Sequence, residues 1–347
     1  MVVAEVVVVT EQLRNDYDVV VVGGGAAGLS AALMLARARR SVVVIDAGAP
    51  RNIPAAGVHG LLALDGMPPT ELLARGRAEV RGYGGHVVPA QVATLTGADN
   101  GVAVALADGR VVRARRLLVT TGLVDELPDI PGLRARWGRD VLHCPYCHGW
   151  EVRDQAVGVL ASGPLSVHQA LLFRQWSADV TFFTHTMPPP TDEDAEKLAA
   201  RGIAVVSGEV ASLEVVEDRL VGVRLSDGTV VGRAALAVSP RMTARADFLA
   251  TLGLRPAQHP SGVGQYIPSD ATGRTEVPGV WVAGNVTDLT AQVGAAAAAG
   301  AAAAAQINAD LVATDTQRAV DAHRGPFSAE SEARICERVT GERRHGL

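Results

Sequence analysis

Two cysteines and a histidine form the stretch of this sequence best suited to chemistry, CPYCH at residues 144–148. Two thiols separated by two residues can close a disulfide or open as a dithiol, and His148 can carry the proton that moves with the electrons. The same spacing is typical of c-type haem attachment and of half a zinc site. No export signal or axial ligand is evident for haem, and zinc needs two further ligands. A redox dithiol of Cys144 and Cys147 is therefore favoured, no metal is predicted, and a purely structural dithiol remains an alternative.

Length and composition predict two domains of ordinary size, because 347 residues of which 48% are hydrophobic can fill two cores. A net charge of −5 supplies no basic surface, which argues against nucleic acid or an anionic membrane as a partner. With 3 cysteines no disulfide framework of the secreted kind can form, so a reducing cytoplasm is expected. The apolar residues 1–9 contain Glu5 and are too short to span a membrane, and we expect residues 1–16 to form an extra strand or a loose arm.

A dinucleotide-binding motif, GGGAAG at residues 23–28, stands between a buried-strand pattern and a helical one. Gly23 permits the tight turn, Gly25 lets a pyrophosphate approach the backbone, and Gly28 lets the helix pack on the strand. A second strand ends in Asp46, 18 positions after Gly28, where a carboxylate would hold ribose hydroxyls. Together these features predict a nucleotide site rather than an empty glycine-rich turn. The flanking elements are expected at residues 17–22 (strand), 29–40 (helix) and 41–45 (strand).

With this motif the chain resembles flavoproteins of the thioredoxin reductase type over about residues 17–312. Three further segments carry the resemblance: DAGAPRN at residues 46–52, VTTG at 119–122, and VWVAGNVTD at 280–288 followed by Gln292. In the last of these the family usually has an aspartate where this chain has Asn285, which is uncharged but can still hydrogen-bond. A helix beginning near Thr290 is expected to point its N-terminus at the flavin.

The resemblance implies an α/β fold of two Rossmann-like dinucleotide-binding domains, the second inserted in the first. The first domain would take FAD and span residues 17–127 and 241–312, and the second, NAD(P)-binding-like domain would span residues 128–240 and carry the dithiol. The residues that the resemblance places around FAD are Gly23, Gly25, Ala26, Ala27, Gly28, Asp46, Ala47, Arg51, Asn52, Thr121, Gly122, Gly284, Asn285, Gln292 and Val293.

The second nucleotide-binding turn departs from the family pattern. Strand and helix patterns remain over residues 155–176, but Ala161 replaces the first glycine of the turn and Pro164 removes a backbone donor. After the next strand, at residues 179–183, the arginines that hold the 2′-phosphate in the family are missing from residues 184–190. We therefore expect the domain to keep its fold without binding NADPH.

The thioredoxin reductases carry a Cys-x-x-Cys at the same place, followed by an aspartate where this chain has His148. By resemblance, Cys147 is the thiol nearest the flavin and Cys144 the outer thiol that exchanges with substrate, and a helical start after Cys144 would favour its thiolate. This chain combines the CPYCH motif with FAD-binding segments and an NADPH-binding turn that departs from the family pattern. In this combination it resembles the FAD-dependent dithiol oxidases that close the disulfides of holomycin and gliotoxin. That resemblance implies a homodimer that oxidises a small-molecule dithiol with molecular oxygen, yielding hydrogen peroxide. The alternatives are a disulfide reductase using NAD(P)H or ferredoxin, and a non-catalytic flavin redox sensor.

Residues 313–347 form a C-terminal tail beyond the resemblance. Helical spacing is present at residues 318–323 and 329–339, and Cys336 is expected to be a buried thiol on a helix. Our hypothesis for the tail is that it folds over the mouth of the active site, with His345 lining the substrate pocket. A disordered terminus is the alternative. Histidines without a motif, such as His59, are expected to be surface or hydrogen-bonded residues.

Overall fold

The computed structural model of this protein describes residues 13–98, 101–325 and 329–341, so most of the predicted N-terminal arm lies outside the described residues. The strands are β1 (Asp16–Val22), β2 (Val42–Asp46), β3 (His86–Pro89), β4 (Val92–Ala98), β5 (Gly101–Leu106), β6 (Val111–Val119), β7 (Leu123–Glu126), β8 (Val141–Leu142), β9 (Val157–Leu160), β10 (Val180–Phe183), β11 (Ala204–Val206), β12 (Val210–Val216), β13 (Arg219–Leu225), β14 (Val230–Gly232), β15 (Ala235–Val238), β16 (Arg241–Ala244), β17 (Ala257–Gln258), β18 (Gly264–Tyr266) and β19 (Val280–Val282). The helices are α1 (Ala26–Arg37), α2 (Pro69–Gly82), α3 (Leu133–Arg136), α4 (Pro145–His148), α5 (Ser166–Phe173), α6 (Asp192–Ala200), α7 (Val293–Arg324) and α8 (Ala329–Gly341), with 3₁₀ helices at Asp247–Leu252 and Gly284–Val286.

The first domain is built on a sheet with the strand order β3-β2-β1-β6-β5-β4. Its central strand β1 pairs in parallel with β2 and β6, so that Val20 lies opposite Val43 and Leu117. These three side chains are buried, as expected for parallel strands covered on both faces. The late strand β19 pairs with the carboxyl-terminal half of β6 and completes the sheet. The predicted strands on either side of the glycine turn are confirmed.

Helix α7 packs along α1 at a distance that only small side chains permit. A Cβ on Gly300 would lie 2.0 Å from the carbonyl oxygen of Ala27. Ala303 and Ala304 are buried in the same core cluster as Ala27. The alanine-rich run at residues 295–305 is helical and lies within α7, and this close packing brings the start of α7 next to the glycine turn.

The second domain contains an all-parallel sheet with the strand order β11-β10-β9-β15-β8, together with an antiparallel sheet of β12, β13 and β14. Strand β9 and helix α5 lie where the sequence predicted them. Helix α6 begins at a cap in which the Thr191 hydroxyl accepts the backbone N–H of Asp194 at 3.2 Å. The parallel sheet with its helices has the doubly wound arrangement expected of a Rossmann-like domain. The second domain is inserted in the first, as predicted.

The chain passes between the domains along two neighbouring strands. Strand β7 leaves the first domain, β16 returns to it, and the two pair antiparallel with Asp125 opposite Met242. The predicted domain borders, at residues 127/128 and 240/241, lie next to the ends of these strands. The two cysteines follow β8 of the second domain and line a cavity together with residues of the first domain.

The C-terminal tail is helical in both places where helices were predicted, since α7 continues to Arg324 and α8 follows. Arg115 ties α7 to the sheet through ion pairs with Asp18 and Asp315. The expectation that Cys336 is buried is wrong: the residue is exposed on α8, beside Ile335, which is 53% exposed. Helical spacing predicts an apolar stripe but not whether another element covers it. The hypothesis about His345 concerns a residue outside the described part of the chain.

Candidate active site

The two cysteines of CPYCH lie just beyond the carboxyl end of β8, at the edge of the parallel sheet of the second domain. Pro145 occupies the first position of α4, and the Sγ atom of Cys144 accepts a hydrogen bond from the backbone N–H of Cys147 at 3.2 Å. Cys144 and Cys147 form a disulfide, with their Cα atoms 5.2 Å apart. The predicted helical start after Cys144 is confirmed, and this N–H can stabilise a thiolate on Cys144 once the disulfide opens.

Only glycine fits at position 149, directly after His148, for a steric reason. A Cβ on Gly149 would lie 2.5 Å from the carbonyl oxygen of Pro145 and 2.7 Å from the ring of Trp176. The ring of Tyr146 packs edge-on against the same indole, with centroids 5.7 Å apart. Trp176, which follows α5, therefore supports the redox helix α4 from within the second domain.

A cavity of about 850 Å³ connects the glycine turn of the first domain with the disulfide. The predicted site residues that line it are Gly23, Gly25, Ala26, Ala27, Asp46, Ala47, Arg51, Asn52, Thr121, Gly122, Cys144, Cys147, His148, Gly284, Asn285, Gln292 and Val293. Gly28 is not among the lining residues, because it packs beneath the turn, where a Cβ would lie 1.9 Å from the carbonyl oxygen of Gly23. Residues as far apart in sequence as Gly23 and Val293 thus meet in one cavity, and the contact of each with a cofactor stays a prediction.

The glycine turn has the space and the donors that a dinucleotide needs. Gly23 has a φ of +107°, and a Cβ there would lie 2.6 Å from the carbonyl oxygen of Thr120. A Cβ on Gly25 would meet no atom within 4 Å, so the backbone is open to the cavity at this point. Helices α1 and α7 both begin at this cavity without a side-chain cap, which leaves N–H groups of their first turns for an anionic or polar ligand. The residues present therefore fit FAD, whose pyrophosphate would lie at the start of α1.

The imidazole of His148 is placed to act as a base. Both of its ring nitrogens are buried, and neither has a hydrogen-bond partner within the described part of the chain. Burial is the main cause that lowers the pKa of His148, which the charge of Glu151 and the carbonyl of Cys144 partly oppose. The ring is therefore neutral at pH 7 and can accept a proton.

A second histidine, His143, stands directly before the disulfide and is held rigidly. Its Nδ1 lies 3.2 Å from the carbonyl oxygen of Val238, and its own carbonyl accepts the Nε2 of Gln169 at 2.6 Å. Burial lowers the pKa of His143, with the nearby positive charge of Arg51 acting in the same direction. These contacts fix the entry of the chain into the redox segment.

Sequence reasoning missed several cavity residues because no motif surrounds them. Asp125 accepts two hydrogen bonds of 2.7 Å from the guanidinium of Arg51, which joins the segment after β2 to β7. Arg245 donates to the carbonyl oxygen of Ala49 at 2.7 Å. His59, which was expected to be a surface or hydrogen-bonded residue, is hydrogen-bonded to Asp65 and also lines the cavity. For Asp125 and Arg245 the partner is remote in sequence, so no local signal was available.

Asn285 uses its amide in a way that an aspartate could not reproduce. Its Nδ2 donates hydrogen bonds of 2.9 Å to the carbonyl oxygens of Asp288 and Ala291, and these bonds shape the turn that leads into α7. We expect Asn285→Asp to lower the free energy of unfolding by roughly 1–3 kcal/mol, because a carboxylate would face two carbonyl oxygens without a donor. Thermal unfolding of the purified variant measures this effect.

The matched control is Asn308→Asp. Asn308 accepts the Nε of Arg40 through its Oδ1 at 2.8 Å, and a carboxylate preserves that bond. An Asn285→Asp variant as stable as the wild type would show that the amide does not hold the turn.

The second nucleotide-binding turn is closed by its own side chain. The Oγ of Ser166 accepts the backbone N–H groups of Ser162 and Gly163 at 3.0 and 3.1 Å, which are donors that a pyrophosphate would use. His185, in the segment where the family has its phosphate-binding arginines, accepts the backbone N–H of Val210 at 3.0 Å. Both features favour the prediction that this domain keeps the fold without the nucleotide.

These features define a flavoprotein disulfide oxidoreductase, and the chain belongs to that class. A family model described as pyridine nucleotide-disulphide oxidoreductase matches residues 17–304, so the chain is a member of this family. The predicted resemblance to flavoproteins of the thioredoxin reductase type, the two-domain α/β fold and FAD as the cofactor are confirmed. The protein is an oxidoreductase that carries out disulfide-related redox chemistry.

Particular relatives and structures are similar to it. The crystal structure of HlmI is 47% identical and superposes with a TM-score of 0.85, covering 91% of this chain and 99% of that one. The oxidoreductase from Agrobacterium tumefaciens is 35% identical, with a TM-score of 0.80 over 86% of this chain and 99% of that one. Among sequences, thioredoxin reductase tcpT from Claviceps purpurea is 31% identical over 271 residues, which are 74% of this chain and 82% of that protein.

Two further findings bear on metals and membranes. Within residues 13–98, 101–325 and 329–341, no three His, Cys, Asp or Glu side chains come together in a way that could hold a metal ion. Over the same residues, no helix combines the length and the apolar character that crossing a membrane requires.

Proposed function

We propose that this protein is an FAD-dependent dithiol oxidase that converts a small natural-product dithiol into its intramolecular disulfide, with oxygen as the acceptor and hydrogen peroxide as the product. One observation carries the proposal, the contrast between the two nucleotide-binding turns. The turn of the first domain opens onto the cavity that contains the disulfide, whereas the donors of the second turn are occupied by Ser166. This contrast supports the entry of electrons through the cysteines rather than from a pyridine nucleotide.

Cys144, Cys147 and His148 each have a distinct role in the proposed reaction. The first substrate thiol loses its proton to the neutral imidazole of His148 and, as a thiolate, attacks the Sγ of Cys144, so that the S–S bond breaks and Cys147 leaves as a thiolate. The second substrate thiol loses its proton to the neutral imidazole of His148 and attacks the substrate sulfur of the mixed disulfide, which releases Cys144 and closes the substrate disulfide. FAD, when bound, would supply the two-electron acceptor for regeneration of the enzyme disulfide and would pass the electrons to oxygen.

An anaerobic titration of the purified yellow protein tests this proposal. We expect excess NADPH or NADH to leave the flavin absorbance unchanged over minutes, and a small dithiol such as dithiothreitol to bleach it. When air is readmitted, the colour should return and one hydrogen peroxide should form for each dithiol oxidised. Rapid bleaching by NADPH would overturn the proposal.

A disulfide reductase is the second candidate, and the name of the Claviceps purpurea relative, thioredoxin reductase, favours it. The same titration separates the two functions, since a reductase would be reduced by NAD(P)H or by reduced ferredoxin. If every donor reduced the flavin slowly and for a single turnover only, the result would instead indicate a redox sensor. The proposal also includes a cytoplasmic location and a homodimer as the working form, and light scattering after size-exclusion chromatography measures the latter.

A further inference from the structure

A closed loop places His59 between two carboxylates beside the redox segment. The loop is closed where the backbone N–H of Val58 donates to the carbonyl oxygen of Met67 at 2.8 Å. The Nδ1 of His59 lies 3.5 Å from Asp65 Oδ2, and its Nε2 lies 3.4 Å from Glu151 Oε1. Asp65 is held in turn by the backbone N–H of Gly60 at 2.8 Å. This imidazole therefore bridges the loop and the segment that follows His148.

The bridging residue His59 lies in the same cavity as the proposed reacting groups. His59 and His148 both line the cavity that contains the disulfide. Glu151 stands three positions after His148, and its charge acts on that ring. At the other end, the side chain of Asp65 is 68% exposed, so the bridge reaches solvent.

The reaction produces more protons than His148 can hold. A dithiol and the Cys144–Cys147 disulfide give a cyclic disulfide, two enzyme thiolates and two protons, and two electrons pass from substrate to enzyme. An imidazole accepts one proton, so the first must leave His148 before the second can be taken. The titratable and charged groups around His148 are Glu151, His59 and His143, with Arg51 and Asp125 behind His143.

His143 is the weaker route for this proton. Its Nδ1 is engaged with the carbonyl oxygen of Val238, and it adjoins the positive charge of Arg51. On the other side of His148, His59 has a carboxylate at each ring nitrogen, an arrangement that can accept a proton at one nitrogen and release one from the other.

We propose that Glu151 and His59 are positioning residues that receive the proton from His148 and pass it to Asp65 and solvent, so that the two protons of a dithiol leave one after the other. This inference rests on the proposed function only in that the substrate is a dithiol. It does not depend on oxygen as the acceptor.

The experiment uses the full-length FAD-loaded protein without oxygen, with dithiothreitol as the dithiol. Complete opening of the Cys144–Cys147 disulfide, in which both cysteines become alkylated and neither remains in a mixed disulfide with dithiothreitol, is followed by quenching with iodoacetamide and mass spectrometry, and FAD content is measured as a check of folding. We expect His59→Ala and Glu151→Gln to slow opening roughly 10- to 100-fold, less than the full effect of a general base. Added imidazole should restore part of the rate in His59→Ala. In Glu151→Gln the acid limb of the rate should move to lower pH, because the charge of Glu151 raises the pKa of His148.

The matched control is His259→Ala, which removes a half-buried histidine that contacts Ser261 and Tyr266, and its rate should equal that of the wild type. Wild-type rates in both test variants, or slow opening that imidazole does not restore, would overturn the inference and leave the proposed function standing. A wild-type disulfide that dithiothreitol fails to open would overturn both.

Discussion

Cys144→Ser and Cys147→Ser will each lose dithiol turnover by roughly a thousandfold or more while retaining FAD, because each removes one half of the reacting pair. The cofactor should remain, since the uncapped starts of α1 and α7 that face the cavity do not involve either thiol. Steady-state peroxide formation measures the loss, and the absorbance of the purified variants measures bound FAD.

The two variants should differ in what they trap. Cys147→Ser retains the outer thiol and should hold a substrate disulfide as a mixed disulfide on Cys144, whereas Cys144→Ser should hold none. Intact-mass spectrometry distinguishes them. Cys336→Ser is the matched control, because Cys336 is exposed on α8 outside the disulfide, and it should behave as the wild type. Turnover in either test variant would exclude the dithiol mechanism.

His148→Gln will slow the reaction with dithiol about 10²- to 10⁴-fold at pH 7, the effect typical of losing a general base. The wild-type rate should fall as the pH drops through the pKa of His148, because the protonated ring can no longer accept a proton. Since burial lowers that pKa, the fall should come at a lower pH than for an exposed histidine. In His148→Gln this acid limb should disappear.

The difference between His148→Gln and the wild type should also narrow at high pH. Above a pH of about 8.5 to 9 the substrate thiols ionise without help, so a base contributes less. Stopped-flow measurement of flavin bleaching across the pH range provides both results, with His259→Gln as the control. A variant as slow at pH 10 as at pH 7, relative to the wild type, would show that His148 acts through structure and not as a base.

The elements around the first nucleotide turn could be predicted because their signals are local. Gly23 must adopt a positive φ, and Gly28 must leave room for the turn above it, so both residue types follow from backbone geometry within a few positions. The alanine run at the start of α7 has high helix propensity, and its small side chains indicate close packing. The change from glycine to Ala161 is a local signal of the same kind, and it predicts that the second turn does not bind NADPH.

The bridge of His59 could not be predicted, because Glu151 reaches it only after the loop closes and the two domains pack. Arg51 and Asp125 are likewise brought together by the fold, although each stands in an unremarkable local sequence. The burial of Cys336 was predicted wrongly for a related reason. An apolar stripe shows which residues share a helix face, and the contacts of that face depend on the rest of the molecule.

The sequence by itself determined the cofactor and predicted the reacting groups, since two thiols, a histidine and a glycine turn are recognisable from spacing that the backbone imposes locally. Only the tertiary structure decided the surroundings of those groups. It buries the ring of His148 and so lowers its pKa, occupies the donors of the second turn with Ser166, and brings His59 beside Glu151. Such properties depend on burial and on contacts between distant segments, which arise when the two domains pack around one cavity.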